Sequence, residues 1–203
     1  MKLIDKVSVN NLIEAQESYG FKVFRGNNGR KDYDLNIVGI RAEGSHLSTF
    51  NDVMAVYWYY NNKWTIETFN VTTDPSIYWL RLLGNSKGTA ILKHPQQVRG
   101  MYKIGYHKGK YKALVQNKSC VVWRDANKDD KLDFDVPEDY GIFGINIHRA
   151  SKYHILLKIG AYSAGCQVHN DYKRYLHFLS LCDESAKIWG DSFTYTLLHE
   201  SDL

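Results

Sequence analysis

Two side chains in the C-terminal half of this sequence could carry out chemistry together. Cys166 follows a small-residue turn, Ser-Ala-Gly, and His148 stands near the end of an apolar segment that begins at Gly144. A thiol attacks a carbonyl carbon well only when a base accepts its proton, and imidazole is the usual base. The two residues therefore predict nucleophilic catalysis by Cys166, with His148 as the base that later protonates the leaving amine.

Two further residues of the turn have predicted supporting roles. Gly165 leaves room around the backbone, so that its N–H and that of Cys166 can point at an oxyanion, an interaction worth roughly 3 kcal/mol per donor. Ser163 is expected to brace the turn, and a backbone carbonyl is the candidate for orienting the imidazole. The competing interpretation is that Cys166 is a small buried core residue and His148 a core histidine.

The elements that must position this pair are mostly strands. Apolar, β-branched and aromatic residues recur between turn-forming residues, a pattern that predicts a series of strands. These strands are residues 21–25, 34–43, 53–60, 64–71, 90–92, 102–104, 111–115, 120–123, 144–149 and 193–198. Helices are predicted over residues 8–19, 75–83 and 171–182. The sequence thus predicts a single, mainly β domain with a few helices, in which residues 53–60 and 64–71 form a hairpin.

Composition and charge argue against nucleic-acid binding. Hydrophobic residues make up 44% and charged residues 24% of the 203 residues, which is ordinary for a soluble globular protein. The net charge of +4 is too small to indicate a nucleic-acid partner, and the sequence has no Lys/Arg stripe with interleaved aromatic residues. The small positive charge slightly favours an anionic polymer such as a bacterial cell wall.

Cysteine usage and hydropathy predict the compartment. The three cysteines form neither a CxxC pair nor a disulfide framework. No apolar run has the length of a membrane span, and the N-terminal residues lack the apolar core of a signal peptide. We therefore expect a protein that is made in a reducing cytoplasm, does not insert into the membrane, and reaches a cell wall only after release.

The order of these features resembles the catalytic domain of the L,D-transpeptidases, the family that cross-links peptidoglycan. That family has a histidine, a gap of similar length, and a Ser/Thr-His-Gly-Cys turn. The matching residues here are His148, Ser163, Gly165 and Cys166. The resemblance covers residues 53–198. It implies a mixed β-sheet or sandwich with peripheral helices, a catalytic core over residues 53–203, and an N-terminal extension, residues 1–52, packed on that core within one domain.

The sequence departs from the family at three positions near the predicted site. Ala164 stands where a second histidine is usual, Arg149 where glycine is usual, and Val168 where Arg or Asn commonly binds substrate. Arg149, Gln167 and His107 are the residues expected to contact substrate here. The resemblance implies a cysteine peptidase acting on the stem peptides of bacterial peptidoglycan, with hydrolysis of the phage-lysin type favoured over cross-linking. No cofactor is required for this catalysis.

Functions of other classes stay open on the sequence alone. A non-catalytic β domain could bind cell wall or glycan through its aromatic residues, which are 14% of the chain. An inactive structural protein of a phage particle is another alternative. A zinc hydrolase that uses His107, His148 and Cys166 is a third, although these residues lack the close spacing of common zinc motifs.

An acidic segment adds a candidate metal site. Asp125, Asn127, Asp129 and Asp133 occupy positions one, three, five and nine of an EF-hand-like calcium loop. The glycine and glutamate that are usual at positions six and twelve are replaced by other residues. The segment predicts a structural calcium ion that braces the entry to the His148 strand. The competing interpretation is an acidic turn between two strands.

Overall fold

The protein is a mainly β structure, as its sequence predicts. A computed structural model of the chain describes residues 2–26, 32–44, 48–61 and 63–203. The strands are β1 (Asn36–Arg41), β2 (Asp52–Tyr60), β3 (Lys63–Thr72), β4 (Thr89–Leu92), β5 (Gln96–His107), β6 (Tyr111–Gln116), β7 (Cys120–Asp125), β8 (Glu138–Gly141), β9 (Ile147–Arg149), β10 (Gln167–His169) and β11 (Phe193–His199). The helices are α1 (Leu3–Lys6), α2 (Val9–Ser18), α3 (Ile77–Arg81) and α4 (Tyr172–Trp189), followed by a 3₁₀ turn at Glu200–Asp202.

Eight of these strands close into a barrel. Their order around it is β1, β11, β5, β6, β9, β10, β3 and β2, and the last of these pairs again with the first. The β1–β11 and β9–β10 pairs are parallel, whereas the other neighbours are antiparallel. Strands β4, β7 and β8 form a separate antiparallel sheet. The predicted mixed β architecture is thus confirmed, with the parallel pair β9–β10 at the segment that carries the predicted site.

Alternate residues of the barrel strands pack into two hydrophobic cores. In β2, Met54 and Val56 belong to the larger core together with α4 and the small sheet, while Val53 and Ala55 belong to a smaller core beneath α2. This two-sided burial explains why β2 is almost continuously apolar instead of alternating with polar residues. Complete burial stabilises the fold by about 1.5–3 kcal/mol for each large aliphatic side chain.

Local sequence signals set the helices that flank the barrel. The hydroxyl of Ser8 accepts the N–H of Asn11 at 3.2 Å and begins α2 within the predicted range. The carboxylate of Asp171 accepts the N–H groups of Lys173 and Arg174, and it begins α4 where predicted. The predicted hairpin of residues 53–60 and 64–71 is confirmed by the β2–β3 pairing.

Two features differ from the sequence-based expectation. Residues 21–25 form no strand, because the N–H of Lys22 is bonded by the side chain of Gln97 and that of Phe24 by the side chain of Asn36 instead of by a strand partner. The predicted division at residue 52 does not separate an extension from a core. Strand β1 lies before residue 52 and closes the barrel between β11 and β2, so the first part of the chain is integral to the domain.

Candidate active site

Parallel pairing of two short strands brings His148 and Cys166 to the same region. In the β9–β10 pair, His148 lies beside Val168 and Ile147 lies beside Gln167, so Cys166 directly precedes the paired residues of β10. The N–H of Gln167 donates to the carbonyl of Asn146 at 2.9 Å and fixes this register. Cys166 and His148 both line a cavity of about 330 Å³.

The thiol of Cys166 is held by two backbone groups. Its Sγ accepts the N–H of Asn146 and donates to the carbonyl of Gly144, each at 3.5 Å. Burial raises the pKa of this thiol to about 11, although the Asn146 N–H and the charge of Lys108 act in the opposite direction. Cys166 is therefore a neutral thiol at pH 7, not a thiolate that a neighbouring imidazole has already formed.

His148 is oriented as a neutral base. Its Nδ1 lies 2.8 Å from the carbonyl oxygen of Arg149 and 3.1 Å from the hydroxyl of Tyr111, which itself donates to the same carbonyl at 3.2 Å. A carbonyl only accepts, so Nδ1 carries the proton and Nε2 carries the lone pair. The side chain is 2% exposed, and burial, followed by the adjacent His107, lowers its pKa to about 3. The predicted orienting carbonyl is that of Arg149.

Nε2 of His148 is the unpaired polar atom of the site. It is buried and has no hydrogen-bond partner within the part of the chain that the structure describes. No hydrogen bond joins it to Sγ of Cys166, which is common for catalytic pairs before substrate is bound. A buried nitrogen without a partner beside a cavity is available to take a proton from a group inside that cavity.

His107 is the second imidazole of the cavity. Its ring stacks on that of His148, with 3.9 Å between the centroids and 25° between the planes. The amide Nδ2 of Asn146 donates to Nδ1 of His107 at 3.1 Å, and burial lowers the His107 pKa to about 4. His107 therefore lies in the groove where the sequence places it, as a neutral group beside the candidate base.

The Ser-Ala-Gly-Cys turn has the brace that its sequence predicts. The hydroxyl of Ser163 lies 2.7 Å from the carbonyl oxygen of Asp74 and 2.8 Å from that of Cys166, and it accepts the N–H of Gly165 at 3.2 Å. Gly165 has φ of +115°, and a Cβ there would lie 2.4 Å from the carbonyl oxygen of Ala90. The turn therefore requires glycine both for its backbone angle and for its close contact with β4.

The hydrogen bonds of the turn change the predicted oxyanion donors. The N–H of Gly165 is bonded to Ser163, so the expectation that it is free to bind an oxyanion is wrong. The N–H of Cys166 makes no hydrogen bond to any described residue. This leaves the Cys166 N–H as the backbone donor at the nucleophile.

A buried arginine, which the sequence analysis did not single out, supports the turn from behind. Arg41 is 1% exposed, and its Nε lies 2.6 Å from Oδ1 of Asp74, whose carbonyl bonds Ser163. The same guanidinium contacts the carbonyl of Leu92 at 3.1 Å and Nδ1 of His94 at 2.6 Å. Arg41 stands in an apolar strand without a motif around it, so only the folded arrangement reveals that it fixes the segment behind Cys166.

Two of the three predicted substrate contacts do not line the cavity. Gln167 is completely buried, donates to the carbonyl of Gly165 at 3.3 Å and accepts the hydroxyl of Tyr195 at 2.6 Å. This contradicts its predicted contact with substrate, because the amide is used within the core. The guanidinium of Arg149 lies 4.1 Å above the ring of Tyr111, and Arg149 is not among the residues that line the cavity. Lys108 lines the cavity instead.

A second cavity of about 370 Å³ continues from the first. The two share Trp79, Ala90, Phe143 and Ala164 in their linings, so together they form one groove along the turn. Arg124 lines the second cavity, while Lys108 lines the first. The Arg124 guanidinium is already paired with Asp139 at 3.0 Å, so Lys108 is the cation available to a carboxylate group of a bound peptide.

The predicted metal ligands are not gathered into a metal site in this structure. Over residues 2–26, 32–44, 48–61 and 63–203, no three His, Cys, Asp or Glu side chains are placed to hold an ion together. Neither the cavity residues His107, His148 and Cys166 nor the acidic residues at the β7–β8 connection, such as Asp125 and Asp133, form such a group. The zinc alternative therefore has no geometric support among the described residues.

Comparisons with known proteins identify no relative of this chain. No family model matches the sequence, and neither the curated proteins nor the solved structures contain a match.

Among the described residues, no helix combines the length and the apolar composition needed to cross a membrane.

Proposed function

We propose that this protein is a cysteine peptidase that cleaves peptides of bacterial peptidoglycan, with Cys166 as nucleophile and His148 as base. One observation carries the proposal: the Nδ1 of His148 is fixed by the Arg149 carbonyl, its Nε2 has no partner among the described residues, and His148 lines the same cavity as Cys166. His169 is also buried with unpaired nitrogens but does not line this cavity, so the support comes from an unpaired imidazole nitrogen on a residue that lines the cavity of the thiol.

The first chemical step forms a thioester. Sγ of Cys166 attacks the carbonyl carbon of the peptide while its proton passes to Nε2 of His148, giving an imidazolium and a tetrahedral oxyanion. The Cys166 N–H is the donor available to that oxyanion. Collapse of the tetrahedral intermediate breaks the C–N bond, and the imidazolium returns its proton to the departing amine.

The second step releases the acyl group. A water molecule gives a proton to the neutral His148 as its oxygen attacks the thioester carbonyl, and the thiolate of Cys166 leaves and takes that proton back. An amine in place of water gives transfer instead of hydrolysis by the same sequence of steps. Hydrolysis and transfer would use the same nucleophile and base, and the choice between them would depend on which second nucleophile the groove admits.

The neutral state of the pair defines how the reaction begins. With the Cys166 pKa at about 11 and the His148 pKa at about 3, an ion pair is strongly unfavourable in the empty site. Proton transfer therefore accompanies attack, as in general base catalysis, instead of preceding it. We expect substrate binding to stabilise the charged pair, because charges that develop in a water-excluded site interact strongly with nearby donors.

The groove supports a peptide substrate that carries carboxylate groups. Trp79, Phe143 and Tyr162 give apolar contact area near Cys166, and Lys108 adds a positive charge in the same cavity. Stem peptides combine small apolar side chains with free carboxylates. Lys108 is the candidate for the substrate contact that Arg or Asn commonly makes in L,D-transpeptidases two residues after the cysteine, because Val168 at that position is fully buried here.

The test is digestion of purified peptidoglycan, followed by analysis of the released muropeptides. Wild-type protein is expected to release new products, whereas the Cys166→Ala and His148→Gln variants are expected to lose at least 99% of the rate, since nucleophile and base contribute factors of about 10² or more. Cys182→Ala is the matched control, because it removes a buried sulfur far from the groove and should retain activity.

Each outcome of this assay decides between classes of function. Equal product profiles from wild type and Cys166→Ala would remove the cysteine mechanism. Binding to the wall without products from either protein would support the alternative of a non-catalytic wall-binding domain. Addition of a free D-amino acid separates hydrolysis from transfer, because only transfer attaches the added amine to the stem peptide.

A further inference from the structure

The connection between β7 and β8 holds several oxygen groups close together without a cation. Asn127 Nδ2 donates to Oδ2 of Asp129 at 3.1 Å and to Oδ2 of Asp133 at 2.6 Å. The amide N–H groups therefore stand between two carboxylates, in the place where a cation would be favourable. The N–H of Lys131 bonds Asp129 Oδ1 at 2.8 Å, which keeps the chain folded around this point.

The strongest sign of a missing partner is a buried carboxylate. Asp125, at the end of β7, is 1% exposed, and its Oδ2 accepts the N–H of Asp133 at 3.1 Å, so that the carboxyl group points into the loop. Its Oδ1 is buried and has no hydrogen-bond partner within the described residues. An unpaired charged oxygen is among the least favourable groups to bury, and such oxygens commonly coordinate metals.

The charges around Asp125 have the wrong sign to balance it. The carboxylates of Asp129 and Asp133 lie near that of Asp125 and repel its negative charge. Asp130 points outward and forms a bidentate pair with Arg81 at 2.6 and 2.7 Å. Among the described residues, no Lys or Arg forms an ion pair with the other three carboxylates.

We propose that this loop binds a calcium ion through Asp125, Asn127, Asp129 and Asp133. The side-chain oxygens lie at positions one, three, five and nine, and the carbonyl of Lys131 at position seven is the expected backbone ligand. The set is entirely oxygen, which favours calcium or magnesium over zinc. Calcium is the better fit because it accepts an irregular set of oxygens, whereas magnesium needs a near-ideal octahedron.

Binding requires a local rearrangement of one amide. In the structure the nitrogen of the Asn127 amide faces the two carboxylates. A half-turn of this amide breaks the hydrogen bond that its oxygen accepts from the Asp129 N–H at 3.0 Å and presents that oxygen to the ion, and the carboxylates then close on the ion.

The site lies where it can stiffen one wall of the groove. The loop joins β7 to β8, and the chain leaving β8 runs directly into Phe143 and Asn146, which line the Cys166 cavity. The N–H groups of Phe143 and Ile145 are held by the side chain of Gln116 on β6. An ion that fixes the β7–β8 connection therefore limits motion at the start of this wall.

Calorimetric titration and thermal melting of the full chain test the proposal without relying on activity. Calcium added to about 10 mM, enough to saturate even weak sites of this type, is expected to give a single-site isotherm. At a calcium concentration 100 times the dissociation constant, the melting temperature should rise by about 5–10 °C for a chain of this size. Magnesium at the same concentration is expected to give a smaller shift.

Two variants distinguish an ion ligand from a residue that merely supports the fold. Asp125→Asn removes the unpaired buried charge, so the protein without calcium should melt at the same or a higher temperature than wild type and should lose the response to calcium. Asp130→Asn is the matched control, since Asp130 lies in the same loop but its carboxylate is paired with Arg81 and is not a proposed ligand. The calcium response of this variant should therefore remain. The proposal is overturned if wild type shows neither heat of binding nor a melting shift, or if Asp125→Asn keeps the full response.

Discussion

The ionisation state of Cys166 can be tested by its rate of alkylation with iodoacetamide as a function of pH. Burial raises the pKa of this thiol from 9.0 to about 11, and two pH units correspond to about 100-fold less thiolate at pH 7. A more basic thiolate is a better nucleophile, which recovers about eightfold of this loss. We therefore expect alkylation at pH 7 to be about tenfold slower than for an unperturbed thiol.

The pH profile carries the more specific expectation. The alkylation rate should rise close to tenfold per pH unit from pH 7 to pH 10 without reaching a plateau. His148→Gln should leave this profile almost unchanged, because the imidazole of His148 is neutral and does not hold the thiolate in the empty site. Peptide mapping by mass spectrometry assigns the label, and the buried Cys120 and Cys182 serve as internal controls that should stay unmodified.

A different pH profile of alkylation would refute this interpretation of the Cys166 thiol. A plateau below pH 8, together with its loss in His148→Gln, would mean a preformed thiolate–imidazolium pair. The desolvation argument for both groups would then be refuted, while the proposed cysteine chemistry would stand. Slower alkylation of Lys108→Gln than of wild type would support the raised-pKa interpretation of Cys166, since the charge of Lys108 lowers the thiol pKa and its removal should raise that pKa further.

Three further outcomes follow from the geometry. Gly165→Ala should lower the free energy of unfolding in urea by about 2–5 kcal/mol, because the new Cβ adds a positive-φ strain and a contact of 2.4 Å with a backbone oxygen. Gly160→Ala, which also has positive φ but open space around it, should cost no more than about 2 kcal/mol. Equal losses in the two variants would refute the role of the close contact. Ser163→Ala should cost about 1–3 kcal/mol, because buried backbone groups lose their partner, and an unchanged unfolding midpoint would contradict the brace. His169 is buried with both nitrogens unpaired among described residues, and burial lowers its pKa to about 3. In the unfolded chain the imidazole has a pKa of about 6.5 and takes up a proton that the folded chain excludes, so the free energy of unfolding falls as the pH drops below 6.5. Relative to His169→Phe, wild type should lose about 2 kcal/mol of stability between pH 7.5 and pH 5. A stability difference between the two proteins that stays constant over this pH range would refute the lowered pKa.

Elements with local signals were predictable from the sequence alone. Ser8 and Asp171 begin α2 and α4 because their side chains bond N–H groups within the next turn, and the β2–β3 hairpin follows from two β-rich runs joined by a short connection. The candidate pair His148 and Cys166 and the bracing role of Ser163 also came from residue type and order. The helix caps and the hairpin need only neighbouring residues, which is why a single sequence is sufficient to predict them.

Other elements depended on partners that periodicity does not reveal. β1 was placed outside the core, yet it closes the barrel through parallel pairing with β11 at the other end of the chain. Residues 21–25 have a strand-like pattern but no strand partner, because side chains take their N–H groups. Which strands pair is a long-range choice, and a hydrophobic pattern gives the face of a strand but not the identity of its neighbour.

The chemistry of the candidate site was decided by the tertiary structure. Packing buried Gln167 and placed Lys108 in the groove, and the hydroxyl of Ser163 took the N–H of Gly165 that the sequence left free. The same packing set the protonation of Cys166 and His148, because the free energy of a charge depends on how much water distant segments remove from around it. A sequence gives the ionisable groups, but only the fold gives the surroundings that set their pKa values.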